Sequence, residues 1–150
     1  MAQWIAWLVP AALLAGALGS QHLGGLHPCE MCYWQRYPHW AAIALAGFSF
    51  FAVGARRPLV ILAALAIALS GAIGVFHAGV ELGWWEGLTT CASTATGGSP
   101  ADLLNSIMNT PLVRCDQVQF AFFGISMAGW NALISLTTAG AVAWLTLRRR

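Results

Sequence analysis

There is no lysine in this chain, and charge of either sign is scarce. Its 150 residues carry seven cationic side chains, all arginine, and five acids, so charged residues make up 8% of the sequence. A net charge of +2 leaves no basic footprint for a nucleic acid. With 59% hydrophobic residues and a mean hydropathy of +0.69, the chain is too apolar for a soluble domain of this size. No internal repeat, heptad pattern, glycine-rich phosphate loop or second domain is visible. The first apolar run lacks a basic n-region and is followed by more membrane-like sequence, so an uncleaved first span is expected rather than a signal peptide.

What is present is four apolar runs, roughly 4–20, 33–54, 59–77 and 128–147. They predict an all-α fold, a four-helix transmembrane bundle forming a single integral membrane domain over 1–150, with two extracytoplasmic loops that carry the cysteines. Arg56-Arg57-Pro58 separates the second and third runs, and Arg148-Arg149-Arg150 follows the fourth. All five acids (Glu30, Glu81, Glu86, Asp102 and Asp116) fall in the other two connections. The arginine bias places both termini and the Arg56–Pro58 turn in the cytoplasm. All four cysteines then lie on the outer side, where disulfides persist.

The second run is short after Trp40, so its span is expected to recruit residues before Pro38, with that proline in or near the first turn. This would set Cys32 and Arg36 at the outer surface near a helix N-terminus, where N–H groups and a guanidinium favour a thiolate. In the fourth run, Trp130 and Trp144 lie about 21 Å apart along a helix and read as interfacial anchors. Trp4 and Trp7 would mark the inner surface, and Trp34, Trp40, Trp84 and Trp85 the outer one. Residues 120–127 are expected to rest against the outer interface. In the long loop at about 78–119, Ser99-Pro100 resembles an N-cap and N1 proline. They open a short amphipathic helix at about 100–109 that would lie in the membrane surface.

Chemistry gathers at Cys29-Glu30-Met31-Cys32, with Cys91 and Cys115 in the long loop. Structural disulfides are one reading, but a C-x-x-C ring removes little chain entropy and makes a poor staple. A metal reading adds His22 and His27 to Cys29 and Cys32, at irregular spacing. A redox reading uses the spacing, the location and the second pair of cysteines together, and is preferred. Arg36 is either an arginine snorkelling to headgroups or a cation held near Cys32, since positions four apart share a helix face. His77, at the end of the third run, lies at the depth of Cys32. His39 reads as an ordinary interfacial residue, Glu81 and Glu86 as solvated loop acids, and Asn131, Ser135, Thr137 and Thr138 as helix-packing polar groups.

Four stretches carry a resemblance that covers nearly the whole chain: Pro28-Cys29-Glu30-Met31-Cys32-Tyr33-Trp34-Gln35-Arg36, His77-Ala78-Gly79-Val80-Glu81, Cys91 with Cys115, and Phe123-Gly124-Ile125-Ser126-Met127-Ala128-Gly129-Trp130-Asn131. In their order and spacing the chain resembles the DsbB family, membrane proteins of the bacterial inner membrane that reoxidise a periplasmic dithiol oxidase using quinone. The resemblance implies catalytic roles for Cys29, Cys32, Cys91 and Cys115. It implies quinone contacts for Arg36, His77 and Met127, with ubiquinone ahead of menaquinone, no metal, and a DsbA-like thioredoxin-fold partner. The family often has an acid before the arginine; here it is Gln35.

The implied relay starts with attack of the partner's thiolate on a Cys91–Cys115 disulfide, at Cys91. Cys115 is then resolved through Cys29–Cys32 by a bond to Cys29, and Cys32 is released to donate into the quinone. A vitamin K epoxide reductase-like enzyme is a rival, but that family carries its quinone-proximal C-x-x-C late in the chain. A membrane scaffold with two inert disulfides is another.

Overall fold

The computed structural model describes residues 1–88, 99–101, 104 and 113–148. Cys91 and most of the helix expected at 100–109 lie outside the described residues. Four long helices dominate: α1 (Ala2–His22), α2 (Glu30–Phe48), α3 (Arg56–Glu81) and α4 (Met127–Arg148). Three segments, Ala2–His22, Val53–Glu81 and Met127–Arg148, are long and apolar enough to cross a membrane. α3 is central and packs along both α2 and α4, while α1 packs against α2 and α4.

The ends of the helices follow from local chemistry. Cys29 is the N-cap of α2, its Sγ accepting from the Cys32 N–H at 3.3 Å, with Glu30 in the first turn to complement the helix dipole. Ser49 Oγ closes the other end by donating to Ala46 O, and a 3-10 turn, Val53–Ala55, leads into α3. Pro58 sits in the first turn of α3, where its missing N–H would have had no partner. α4 is capped by Ser126 Oγ, which accepts from Gly129 N–H.

One expectation is corrected here. The second helix runs over Glu30–Phe48 rather than 33–54, so Pro38 lies in its interior and is buried, not in its first turn. The fold is helical, as expected, with one small hairpin added. Two-residue strands β1 (Ala121–Phe122) and β2 (Ile125–Ser126) pair antiparallel, with Phe122 opposite Ile125. The turn between them has positive φ at both Phe123 (51°) and Gly124 (77°), as a type I′ turn requires.

The middle of the bundle is built from small residues. Ala6, Ala42, Ala46, Ala63 and Ala139 surround Ile67 and Val142. Small side chains let helix backbones approach closely where hydrocarbon outside gives no hydrophobic drive to association. Gly74 of α3 is such a point beside the site, where the neighbour is backbone. A Cβ there would lie 3.0 Å from Ala128 O and 3.1 Å from both Ala132 N and Asn131 Nδ2. Backbone cannot swing away, so Gly74→Leu is expected to force α3 off α4 and cost about 1–3 kcal/mol, read from the unfolding midpoint in detergent. An unchanged midpoint would mean that the two helices are not held at this spacing.

Candidate functional site

The first two turns of α2 face α3 and α4, and there the small-residue core gives way to polar groups. Cys29 and Cys32 are thiols with their sulfurs 2.8 Å apart. His77 Nε2 lies 3.6 Å from Cys29 Sγ. The Cys32 contact, and after it burial, hold the Cys29 thiol above the ordinary thiol range; the Cys32 N–H aimed at its sulfur pulls the other way and is outweighed. Cys115 packs against the Cys29–Met31–Val80 cluster, and its backbone is bonded to His77.

Backbone carbonyls fix where the protons sit in the surrounding network. Gln35 Nε2 donates to Met31 O at 3.1 Å, which sets the amide's orientation, and it also donates to His77 Nδ1 at 2.8 Å. His77 Nδ1 is therefore an acceptor, and the neutral ring carries its hydrogen on Nε2, toward Cys29. Gln35 Oε1 accepts from Asn131 Nδ2 at 2.8 Å, and Asn131 Nδ2 also reaches Ser70 O at 3.2 Å. Asn131 Oδ1 consequently faces the other way, toward Ser135 Oγ at 3.0 Å and His39 Nε2 at 2.9 Å. Ser70 Oγ gives its own hydrogen to Gln35 O and stands 3.0 Å from His39 Nε2. His39 Nε2 thus meets two acceptors and must carry the hydrogen.

Arg36 is turned toward α1. It donates from Nη1 to Gln21 Oε1 at 2.6 Å and from Nη2 to Ala17 O at 3.2 Å, and lies 5.2 Å from the Tyr33 ring centre. A cavity of about 280 Å³ opens between these groups. Cys32, Arg36, His77 and Met127 line it, as do His39 and Asn131. The structure therefore brings together Cys29, Cys32, Cys115, Arg36, His77 and Met127; Cys91 is the one expected site residue outside the described residues.

Two residues behave differently from their sequence-based expectation. Glu81 ends α3 with a side chain only 7% exposed, 3.9 Å from His77 Nε2, and is no solvated loop acid. His39 is 3% exposed inside the polar network rather than at an interface. Its place at i+4 from Gln35 on the same helix face as Cys32 and Arg36 was the signal available. Asn131 and Ser135 do serve helix packing, and Asn131 links α4 to α2 and α3.

A metal has one plausible set of donors among the described residues: Cys29, Cys32 and His77, all within 4.8 Å of one another, with neither His22 nor His27 included. The wiring works against it, because His77 Nε2 carries the hydrogen that a metal would have to replace. Displacing it would break the Gln35 bond to His77 Nδ1.

Comparison with known proteins places this geometry in context. Residues 1–145 match the model of the family described as disulfide bond formation protein DsbB. A disulfide bond formation protein B from a Polaromonas species is 30% identical, the alignment covering 95% of this chain and 89% of that protein. Proteins of the same name from Burkholderia ambifaria and Burkholderia pseudomallei are 32% and 33% identical; the alignments cover 93% and 95% of this chain, and 84% and 86% of theirs. No solved structure matches the chain at a significant level.

Proposed function

This chain belongs to the DsbB family and is a disulfide-forming membrane protein, and from that premise we propose that it reoxidises a periplasmic DsbA-like dithiol oxidase and passes the two electrons to membrane quinone. The observation that carries the reading is one cavity lined together by Cys29, Cys32, Arg36, His77 and Met127, with Cys115 packed against the Cys29–Met31–Val80 cluster. Its volume and its mixed apolar and cationic lining suit a quinone headgroup, which when bound supplies a two-electron, two-proton acceptor.

The chain's own groups then have distinct tasks. Cys91 and Cys115 take up the partner's electrons by thiol–disulfide exchange. Cys115 lies where its sulfur can pass them to Cys29. Both inner cysteines line the cavity; Cys29 keeps its proton and takes an N–H from His77, which leaves Cys32 as the electron donor. Arg36 sets a positive charge on the cavity wall, held in place by α1. His77 orients Cys29 and is itself oriented by Gln35.

The same proposal takes α2 as the fourth span. Its 19 residues rise about 28 Å, close to the hydrocarbon thickness, although Gln35, Arg36 and His39 dilute its apolar character. The Arg56-Arg57 turn and Arg148 lie on the cytoplasmic side and the cysteine loops in the periplasm of the bacterial inner membrane.

The direct test is anaerobic mixing of the purified protein with a reduced thioredoxin-fold oxidase and ubiquinone. Quinol should appear in step with partner disulfide. If all four cysteines remain blocked to alkylation throughout, the relay is absent. Arg36→Ala is expected to raise the KM for quinone about tenfold, the loss of one charge-assisted contact, while the helices still assemble. An unchanged KM would remove Arg36 from the quinone site.

A further inference from the structure

Two buried atoms on residues that line the cavity have no hydrogen-bond partner among the described residues, Glu81 Oε2 at the end of α3 and His39 Nδ1 within the polar network. His39 Nδ1 has no hydrogen-bond partner among the described residues, although its side chain is 97% buried by the 3% exposure of the residue and the residue lines the cavity. Buried polar atoms without partners are costly, and one on a residue that lines a ligand cavity points to a ligand atom. The tautomer decides which kind. His39 Nε2 carries the hydrogen, because Asn131 Oδ1 and Ser70 Oγ both present lone pairs to it. Nδ1 is therefore an acceptor, held so by bonds that trace back to the carbonyl oxygens of Gln35 and Ser70.

We propose that His39 Nδ1 is the group that distinguishes the two redox forms of the bound ligand, accepting a hydrogen bond from a quinol hydroxyl that the quinone cannot offer. This rests on the quinone reading of the cavity given above. A quinone carbonyl brings only lone pairs, which meet the Nδ1 lone pair unfavourably. A quinol hydroxyl brings the missing hydrogen. His39 thus biases the bound pair toward the reduced form and helps draw electrons out of the thiols, through affinity rather than by supplying a proton. It is a hydrogen-bonding ligand distinct from Arg36, whose charge favours negative oxygen, and from His77, whose Nδ1 is already satisfied by Gln35.

The experiment compares equilibrium binding of a short-chain ubiquinone and of its purified quinol, followed anaerobically by quenching of tryptophan fluorescence. It is carried out on a Cys32→Ser background that cannot exchange electrons with the ligand. With His39 present, quinol should bind about tenfold more tightly than quinone. His39→Gln keeps an N–H donor near the Nε2 position, so the network persists, but removes the acceptor at Nδ1. The ratio should fall to near one, through loss of quinol affinity alone. His39→Asn keeps an acceptor near the Nδ1 position and should retain the preference for quinol. A preference unchanged in His39→Gln, or an equal loss for both ligands, overturns the assignment. If neither ligand binds when His39 is present, the quinone reading itself falls and the assignment with it.

Discussion

Cys32→Ser is expected to lower dithiol-driven quinone reduction by about 10³-fold or more, the scale seen when a catalytic nucleophile is removed. The hydroxyl matches the thiol in shape closely enough to keep the first turn of α2, because the N-cap contact runs from the Cys32 backbone N–H to Cys29 Sγ and not through the replaced atom. What is lost is one of the two cysteine sulfurs of the cavity lining, the one that faces Cys29 at 2.8 Å. Mild oxidation of the variant should then yield a Cys29–Cys115 disulfide, detected by peptide mapping, since Cys115 packs against Cys29 and no nearer thiol remains among the described residues. Retention of a tenth of the wild-type turnover would show that electrons leave by another route.

The second large effect is structural. Asn131→Leu removes one amide that serves three helices. Gln35 Oε1 and Ser70 O lose their donor, and Ser135 Oγ and His39 Nε2 lose an acceptor, all in a buried setting. Leaving buried polar groups unpaired costs about 1–3 kcal/mol for each badly orphaned group. Partial rescue by neighbours, such as Ser70 Oγ for His39, brings the expected total to roughly 3 kcal/mol. Unfolding in detergent measures it, and a loss below about 0.5 kcal/mol would mean that the amide chain contributes little to holding α4 on α2 and α3. Gln35 and His77 should reorient together in this variant, so exchange between Cys29 and Cys115 should slow even where the protein remains folded.

The helices were legible in the sequence to different degrees, for physical reasons. α3 and α4 are long apolar runs bounded by arginine, serine or turn residues, and their limits moved by only a few positions. α2 was misjudged at both ends. Its N-cap is a cysteine, outside the usual set of capping residues, and its first three turns carry Gln35, Arg36 and His39, which resemble a loop in any hydropathy profile. Its interior proline looked like a start signal because Pro favours first turns, yet the helix continues through it. The hairpin at residues 121–126 escaped notice because Phe123 occupies a positive-φ position where Asn would have announced the turn. At the site, the cysteine spacing and the arginine four residues on were readable from chain distance alone. The link from His39 to Asn131 spans 92 positions, and the burial of Glu81 depends on how the end of α3 packs, so neither could be read along the chain.

The amide of Gln35 also acts as a polarity switch set by one atom. Its –NH₂ end is committed to Met31 O and His77 Nδ1, and its carbonyl end to Asn131. A carboxylate at this position would present oxygen at both ends. His77 would then have to turn its hydrogen to Nδ1, leaving Nε2 bare against Cys29. The same ring would change from a donor that steadies the sulfur into a base that can take its proton. Exchange of a single nitrogen for oxygen at residue 35 therefore reverses the direction in which a proton is offered at the inner thiol.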